Sequence, residues 1–195
     1  MKTTRTLFAS LLGGLLLVGS HAFAQTSTWK IDPAHSDAAF QVKHLSVSNV
    51  RGSLGAVNGT VTWDEKDPTK SSVTATIETK GLDTRVQKRD DHLKSADFFD
   101  VEKNPTVTFK STAVKREGDG FSVVGDLTLN GVTKPVTLTV DGPTPPQKNQ
   151  QGKLVTGFSA TGSIKRSDFG FGAKFPDAVV SDLVKITIDV EADKE

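Results

Sequence analysis

The chain has 195 residues, of which 24 are basic and 23 acidic, 35% are hydrophobic and none is cysteine. A near-neutral balance without a basic cluster argues against nucleic acid as a partner. The lack of cysteine excludes a disulfide framework and a thiol nucleophile, so stability has to come from packing and backbone hydrogen bonds.

The first residues point to a compartment. Lys2 and Arg5 precede an apolar run from Leu7 to Val18, and Ala22-Phe23-Ala24 is a small-x-small site. That is the pattern of a secretory signal peptide, and the run is too short to span a bilayer. Residues 1–24 are therefore expected to be cleaved, leaving 25–195 as one exported domain. Loss of Lys2 and Arg5 leaves 22 basic against 23 acidic side chains. What remains is long enough to bury its own core.

Strand patterns then follow one another. A short strand is expected around Trp29–Ile31. In "AAFQVKH", Ala38, Phe40, Val42 and His44 share one face and Gln41 and Lys43 the other. Similar stripes are Val57, Gly59, Val61 and Trp63; Val73, Ala75, Ile77 and Thr79; and Val107, Phe109, Ser111 and Ala113. Phe121, Val123, Gly125, Leu127 and Leu129 come next, and Asn130-Gly131 is a strong two-residue hairpin signal. Val136, Leu138 and Val140 follow, then Leu154, Phe158, Ala160, Gly162 and Ile164, then Val184, Ile186, Ile188 and Val190. Each strand has one wet and one dry face, which is the mark of an antiparallel sheet. Eight such strands in one domain predict an all-β fold, a closed barrel or a two-sheet sandwich.

Two stretches break the alternation. Gly81 to Pro105 is charged and lacks period two; it reads as a short helical insertion capping one end, with Phe98 and Phe99 plugging into the barrel. Asp141 to Gly152 reads as a Pro- and Gln-rich surface loop.

Strand parity places a candidate site. If the strands run up and down in order, the first and seventh end on the same rim. His44 ends the first stripe, and extending the seventh by two residues reaches Arg166. The longest irregular connections also fall on that rim, where binding loops usually lie. Arg166 is expected to fix a polar or anionic head, with His44 adding a hydrogen bond. The alternatives are structural: His44 bonding a loop carbonyl, and Arg166 pairing with Asp168 or another rim carboxylate. Phe40, Val42, Phe109, Leu127, Phe158, Ala160 and Ile164 are expected to line the lumen, with Phe169, Phe171 and Phe175 closing the 167–183 loop over it. The many small inward residues fit a cavity, and fit equally a packed core in which they offset the phenylalanines.

Four ordered motifs carry a resemblance. "IDPAHSDAAFQVKHLSVSNVRGSLG", "HLKSADFFDVEKNPTVTFKST", "GDLTLNGVTKPVTLTV" and "KRSDFGFG" resemble the signatures of the YceI family, across nearly all of residues 25–195. The resemblance implies an eight-stranded, lipocalin-like antiparallel barrel in the periplasm. It implies a long-chain isoprenoid, quinone or similar amphiphilic lipid held non-covalently in the lumen, with no other cofactor, and a link to stress responses. A fatty acid or fatty amide is the alternative ligand. Transient membrane contact and a homodimer are further expectations. No nucleophile elbow or zinc-protease motif is present, so no enzyme is expected. The remaining enzymatic alternative is a metal-dependent hydrolysis using His35, His44 and His92, whose spacing matches no metal motif.

Overall fold

The computed structural model describes residues 26–195. The expected signal peptide lies outside the described residues. Ten strands form: β1 (Thr26–Ile31), β2 (Asp37–His44), β3 (Ser48–Asp64), β4 (Ser72–Glu78), β5 (Thr106–Glu117), β6 (Gly120–Leu129), β7 (Val132–Asp141), β8 (Gln147–Lys148), β9 (Leu154–Lys165) and β10 (Leu183–Lys194). Among the described residues one α-helix, α1 (Gln87–Lys94), lies between β4 and β5. No helix among the described residues is long and apolar enough to cross a membrane.

Eight strands close into a ring in the order β2-β3-β4-β5-β6-β7-β9-β10, because β10 pairs with both β9 and β2. Every pairing is antiparallel, as the wet and dry faces predicted. Strand β1 bonds to β3 and β10 beyond the end of β2, so β1 and β2 form one broken stave. The break is the Asp32-to-Ser36 turn. There Ser36 Oγ donates to the Glu191 carbonyl and accepts from the Glu191 amide, tying the turn to β10. The pair β8 adds a short flap on β9 inside the expected surface loop.

The Asn130-Gly131 hairpin forms as expected, with φ of 52° and 72°, the left-handed pair that a two-residue turn of this kind needs. Two registers differ from simple alternation. Leu54 is an extra residue in β3 opposite Ala38 and Ala39, so Val50 and Leu54 face the cavity up to that point and Val57 and Val61 after it. Strand β5 carries the second. A bulge between Ser111 and Ala113 flips the parity of β5. Val114 therefore turns inward and is buried, while Ala113 is exposed. An extra residue in one strand moves every later side chain to the other face.

The helical insertion covers one rim. Its approach is fixed by a bridge in which Ser53 and Asp83 exchange backbone hydrogen bonds. Gly52 makes that approach close: a Cβ there would stand 2.6 Å from the Phe40 ring and 2.7 Å from the Thr84 methyl. After α1, Phe98 and Phe99 bury against Phe171 and Phe175 from the 166–182 connection, which we call the lid. Phe98 stacks on Phe175 at 5.0 Å, and Phe99 meets Phe171 edge-on at 4.5 Å. Asn104 donates to Asn130, and Asn130 donates to the Phe169 carbonyl, so the β6–β7 turn holds both halves of the cap.

Candidate functional site

The stripes enclose a cavity of about 430 Å³. Small residues do not merely offset the phenylalanines; with Ala38, Ala75 and Ala160 on the walls, the barrel keeps a void. Phe40, Val42, Phe109, Leu127, Phe158, Ala160 and Ile164 all border it, as do His44, Arg166 and Phe171. Apart from Thr108, its polar lining residues lie at its ends: Ser71 and Ser72 at one, His44, Arg89, His92 and Arg166 at the other. The first end is narrowed by Trp63, whose ring meets Phe121 at 5.3 Å and Phe158 at 6.3 Å.

His44 and Arg166 do share a rim. Strands β2 and β9 both run antiparallel to β10, so their C-terminal ends lie together. The rim is knitted by backbone pairing of His44 with Val180 and by the Leu45 amide donating to the Val179 carbonyl. The His44 side chain is exposed and makes no hydrogen bond among the described residues, so the loop-carbonyl alternative is not what it does.

Arg166 has a different task from the one expected. It is only 5% exposed. Its Nε donates to Ser181 O, Nη1 to Phe171 O and Gly172 O, and Nη2 to Phe175 O and Val180 O. A guanidinium carries five N–H donors, and all five are spent on lid carbonyls. It has none left for a ligand head, and it does not pair with Asp168. Arg166 shapes the lid that closes the cavity.

Phe169 is a second correction. It is 1% exposed but does not border the cavity. It sits in the single turn Arg166–Phe169, which packs on β7, with its carbonyl held by Asn130. Of the three phenylalanines expected to close the loop over the lumen, Phe171 and Phe175 border the cavity, while the tight turn aims Phe169 away from it. Gly162 also lies under the Leu138 side chain rather than open to the void: a Cβ there would be 2.7 Å from Leu138 Cδ2.

The insertion supplies groups that strand periodicity could not reveal. Arg89 borders the cavity; its Nε donates to Thr84 Oγ1 at 2.7 Å and its Nη2 to Thr84 O at 2.8 Å. Its Nη1 has no partner among the described residues. Arg89, not Arg166, is thus the cation available at this mouth. His92 borders the cavity beside it, packed edge-on against Phe98 at 5.1 Å. The only legible signal was the charged, non-alternating run itself.

The three histidines do not converge, which overturns the shared metal site considered for them. His35 sits at the β1–β2 turn, with Nδ1 2.7 Å from Asp32, while His44 and His92 border the cavity. Among the described residues the one group of three metal-capable side chains is Asp32, His35 and Glu191, outside the cavity.

Two carboxylates hold the lid. Asp97 accepts from Lys174 and lies 3.2 Å from His92 Nε2; these partners, Lys174 first, keep its carboxyl below the ordinary range. For Asp182, burial alone would raise the pKa, but hydrogen bonds from the Ser167 amide and hydroxyl, with the charges of Arg166 and Lys165, outweigh it and lower it. Both groups are depressed in the folded state. Each therefore stabilises the lid above the unfolded value of 3.8, and that contribution is lost as pH falls through the lower, folded value. On acidification below 3.8, NMR amide signals of residues 170–182 are expected to shift and broaden before those of the barrel strands. Asp182→Asn should flatten that response. A lid that responds no earlier than the strands would refute the assignment.

Comparison with known proteins agrees with the architecture. The YceI-like domain family matches residues 29–192. A relative named UPF0312 protein, from Serratia proteamaculans, is 43% identical over 190 residues, covering 96% of each chain. The crystal structure of Burkholderia cenocepacia BcnA superposes with a TM-score of 0.71 at 25% identity, covering 83% of this chain and 98% of that one. A domain from Saccharophagus degradans described as polyisoprenoid-binding shares the fold, with a TM-score of 0.61 at 13% identity, covering 86% of this chain and 98% of that one. With a full-length barrel, the family's motifs in order and a match from 29 to 192, this chain belongs to the YceI family.

Proposed function

We propose that this protein is a periplasmic binding protein, not an enzyme, that carries a long-chain isoprenoid, quinone or similar amphiphile inside the barrel. The observation that carries the reading is the cavity: about 430 Å³, walled by aliphatic and aromatic side chains, with its polar lining almost confined to the two ends. That volume falls in the range of small-molecule sites. The lining offers an apolar chain what water does not, about 0.8 kcal/mol for each methylene buried. Ordering the chain offsets much of that sum, so the affinity stays within ordinary limits.

The polar head belongs at the His44 rim in this reading. Arg89 Nη1 and the unbonded His44 imidazole are the donors there, and Arg166 acts through the lid it holds. The relative described as polyisoprenoid-binding supports the choice of ligand class at the level of the fold. The same donors suit a carboxylate, so a fatty acid or fatty amide is the second reading. Export rests on the Lys2, Arg5 and Leu7-to-Ala24 pattern, and a role under stress on the family resemblance.

The test is direct. Protein purified from the periplasm is extracted with organic solvent and the extract is weighed by mass spectrometry. The expected result is a single class of long-chain amphiphile, at up to about one molecule per protein for a cavity of this size. A C16–C18 acid or amide would establish the second reading. An empty extract, with no uptake of added polyprenol, quinone or fatty acid, would end the carrier proposal.

A further inference from the structure

Four large hydrophobic side chains are exposed among the described residues: Val47 at 83%, Leu45 at 54%, Leu183 at 50% and Val86 at 47%. All four lie at one end of the barrel, the end bearing His44. Leu45 and Val47 form the tip of the β2–β3 hairpin, whose turn closes with Val47 N donating to His44 O. Val86 is the N-cap residue just before α1, next to the segment bridged to β3 through Ser53 and Asp83. Leu183 starts β10, two residues after the Ser181 amide bonds Lys43 O. Elsewhere the strands end in charged or polar turns, as at Asp64–Lys66 and Glu117–Gly120.

The hairpin tip is also built at a conformational cost. Leu45 and Ser46 both adopt positive φ, 50° and 56°. The same kind of turn at the far side of this rim uses Asn130-Gly131, which is easier there. A leucine in that conformation, pointing into water, gains nothing from the folded barrel.

Cations flank three of these side chains, Leu45, Val47 and Val86, while Leu183 follows Asp182. Lys43 and Arg51 flank the hairpin, and Arg85 and Lys88 flank Val86; none of the four forms an ion pair among the described residues. No acidic residue occurs between Lys43 and Arg51. Apolar tips ringed by free cations match an anionic bilayer surface, where the tips enter the interface and the cations meet lipid headgroups. A second copy of this chain fits less well, since face-to-face packing would set the same cations against each other.

We propose that the His44 rim docks on anionic membrane surfaces, with Leu45, Val47 and Val86 inserted and Lys43, Arg51, Arg85 and Lys88 on the headgroups. Docking rests on the rim alone. Its use, transfer of a lipid between bilayer and lumen through the adjacent mouth, rests on the carrier reading above.

The experiment floats the full exported protein with vesicles of phosphatidylcholine, with or without about one third phosphatidylglycerol, at low and high salt. Luminal lipid is assayed separately on the same samples. The wild type is expected to float with the anionic vesicles, to float less with neutral ones, and to be released by salt. Leu45→Asp with Val47→Asp should reduce partitioning about tenfold or more, since it replaces insertion by charge repulsion. Lys43→Gln with Lys88→Gln should reduce it less and remove part of the salt dependence. Neither pair borders the cavity, so luminal lipid should stay at the wild-type level, and circular dichroism should show an unchanged fold. A wild type that stays unbound to anionic vesicles at low salt overturns the proposal, whatever its lumen holds. So does a wild-type dimer that Leu45→Asp with Val47→Asp turns into a monomer while vesicle binding is absent. Vesicle binding by a protein with an empty lumen would uphold docking and count against the carrier reading alone.

Discussion

Arg166→Ala is expected to destabilise the protein by about 3 kcal/mol, with the loss concentrated in the lid. The reasoning is one of donors and acceptors. Phe171, Gly172, Phe175, Val180 and Ser181 all present carbonyls to one guanidinium. Hydrogen bonds to a charged group contribute about 1.5–3 kcal/mol each when measured singly, but they are not additive. The lid can also open and let water satisfy some carbonyls, which limits the loss. Even about 3 kcal/mol is a large share of the 5–15 kcal/mol available to a typical domain. Arg166→Lys is expected to be only a partial rescue. An ammonium has three donors and no planar fork, so at least two of the five carbonyls stay unserved. Urea unfolding followed by circular dichroism measures the total. Hydrogen exchange at residues 170–182 locates it. An Arg166→Ala protein with the wild-type midpoint and a protected lid would refute the role.

How much of this was readable from residue order divides along a physical line. Alternation reports local geometry, so the eight barrel stripes and the Asn130-Gly131 turn were legible. So was the shared rim of His44 and Arg166, because direction follows from counting antiparallel strands. The task of Arg166 was not legible. Nothing in "KRSDFGFG" says that five carbonyls from a connection running to Ser181 will curl around one side chain. Phe169 failed for a related reason: spacing within a loop does not say which phenylalanine meets the lumen, and the tight turn takes this one away from it. The bulge at Ser111–Ala113 left no mark either, since an inserted residue looks like any other until its partner strand is known. Arg89 lay in a charged segment without a period, where charge reads as solvated surface. Its access to the cavity depends on Gly52 letting Thr84 and Phe40 approach.

The lumen gives the last expected result. Ala160→Trp should yield a folded protein that no longer retains lipid. Ala160 faces the void from β9, between Val140 on β7 and Ile188 on β10, so an indole there projects into the space assigned to the chain. In a filled core an added ring of that size forces strain costing about 1–3 kcal/mol. Here the ring enters about 430 Å³ of apolar void, so its own burial offsets much of the strain. The ligand-free variant should thus unfold within about 1.5 kcal/mol of delipidated wild type. A bound ligand adds stability in proportion to the logarithm of its concentration over its dissociation constant. Wild type should show that increment on adding lipid, and the variant should not. Ala75→Trp tests the same point from β4, four places around the eight-stranded ring and hence on the opposite wall. If both variants fold and both still yield the wild-type amount of lipid on extraction, the chain does not lie in the barrel. If only one loses lipid, the chain follows that wall, and the other marks where the lumen is wide enough to share.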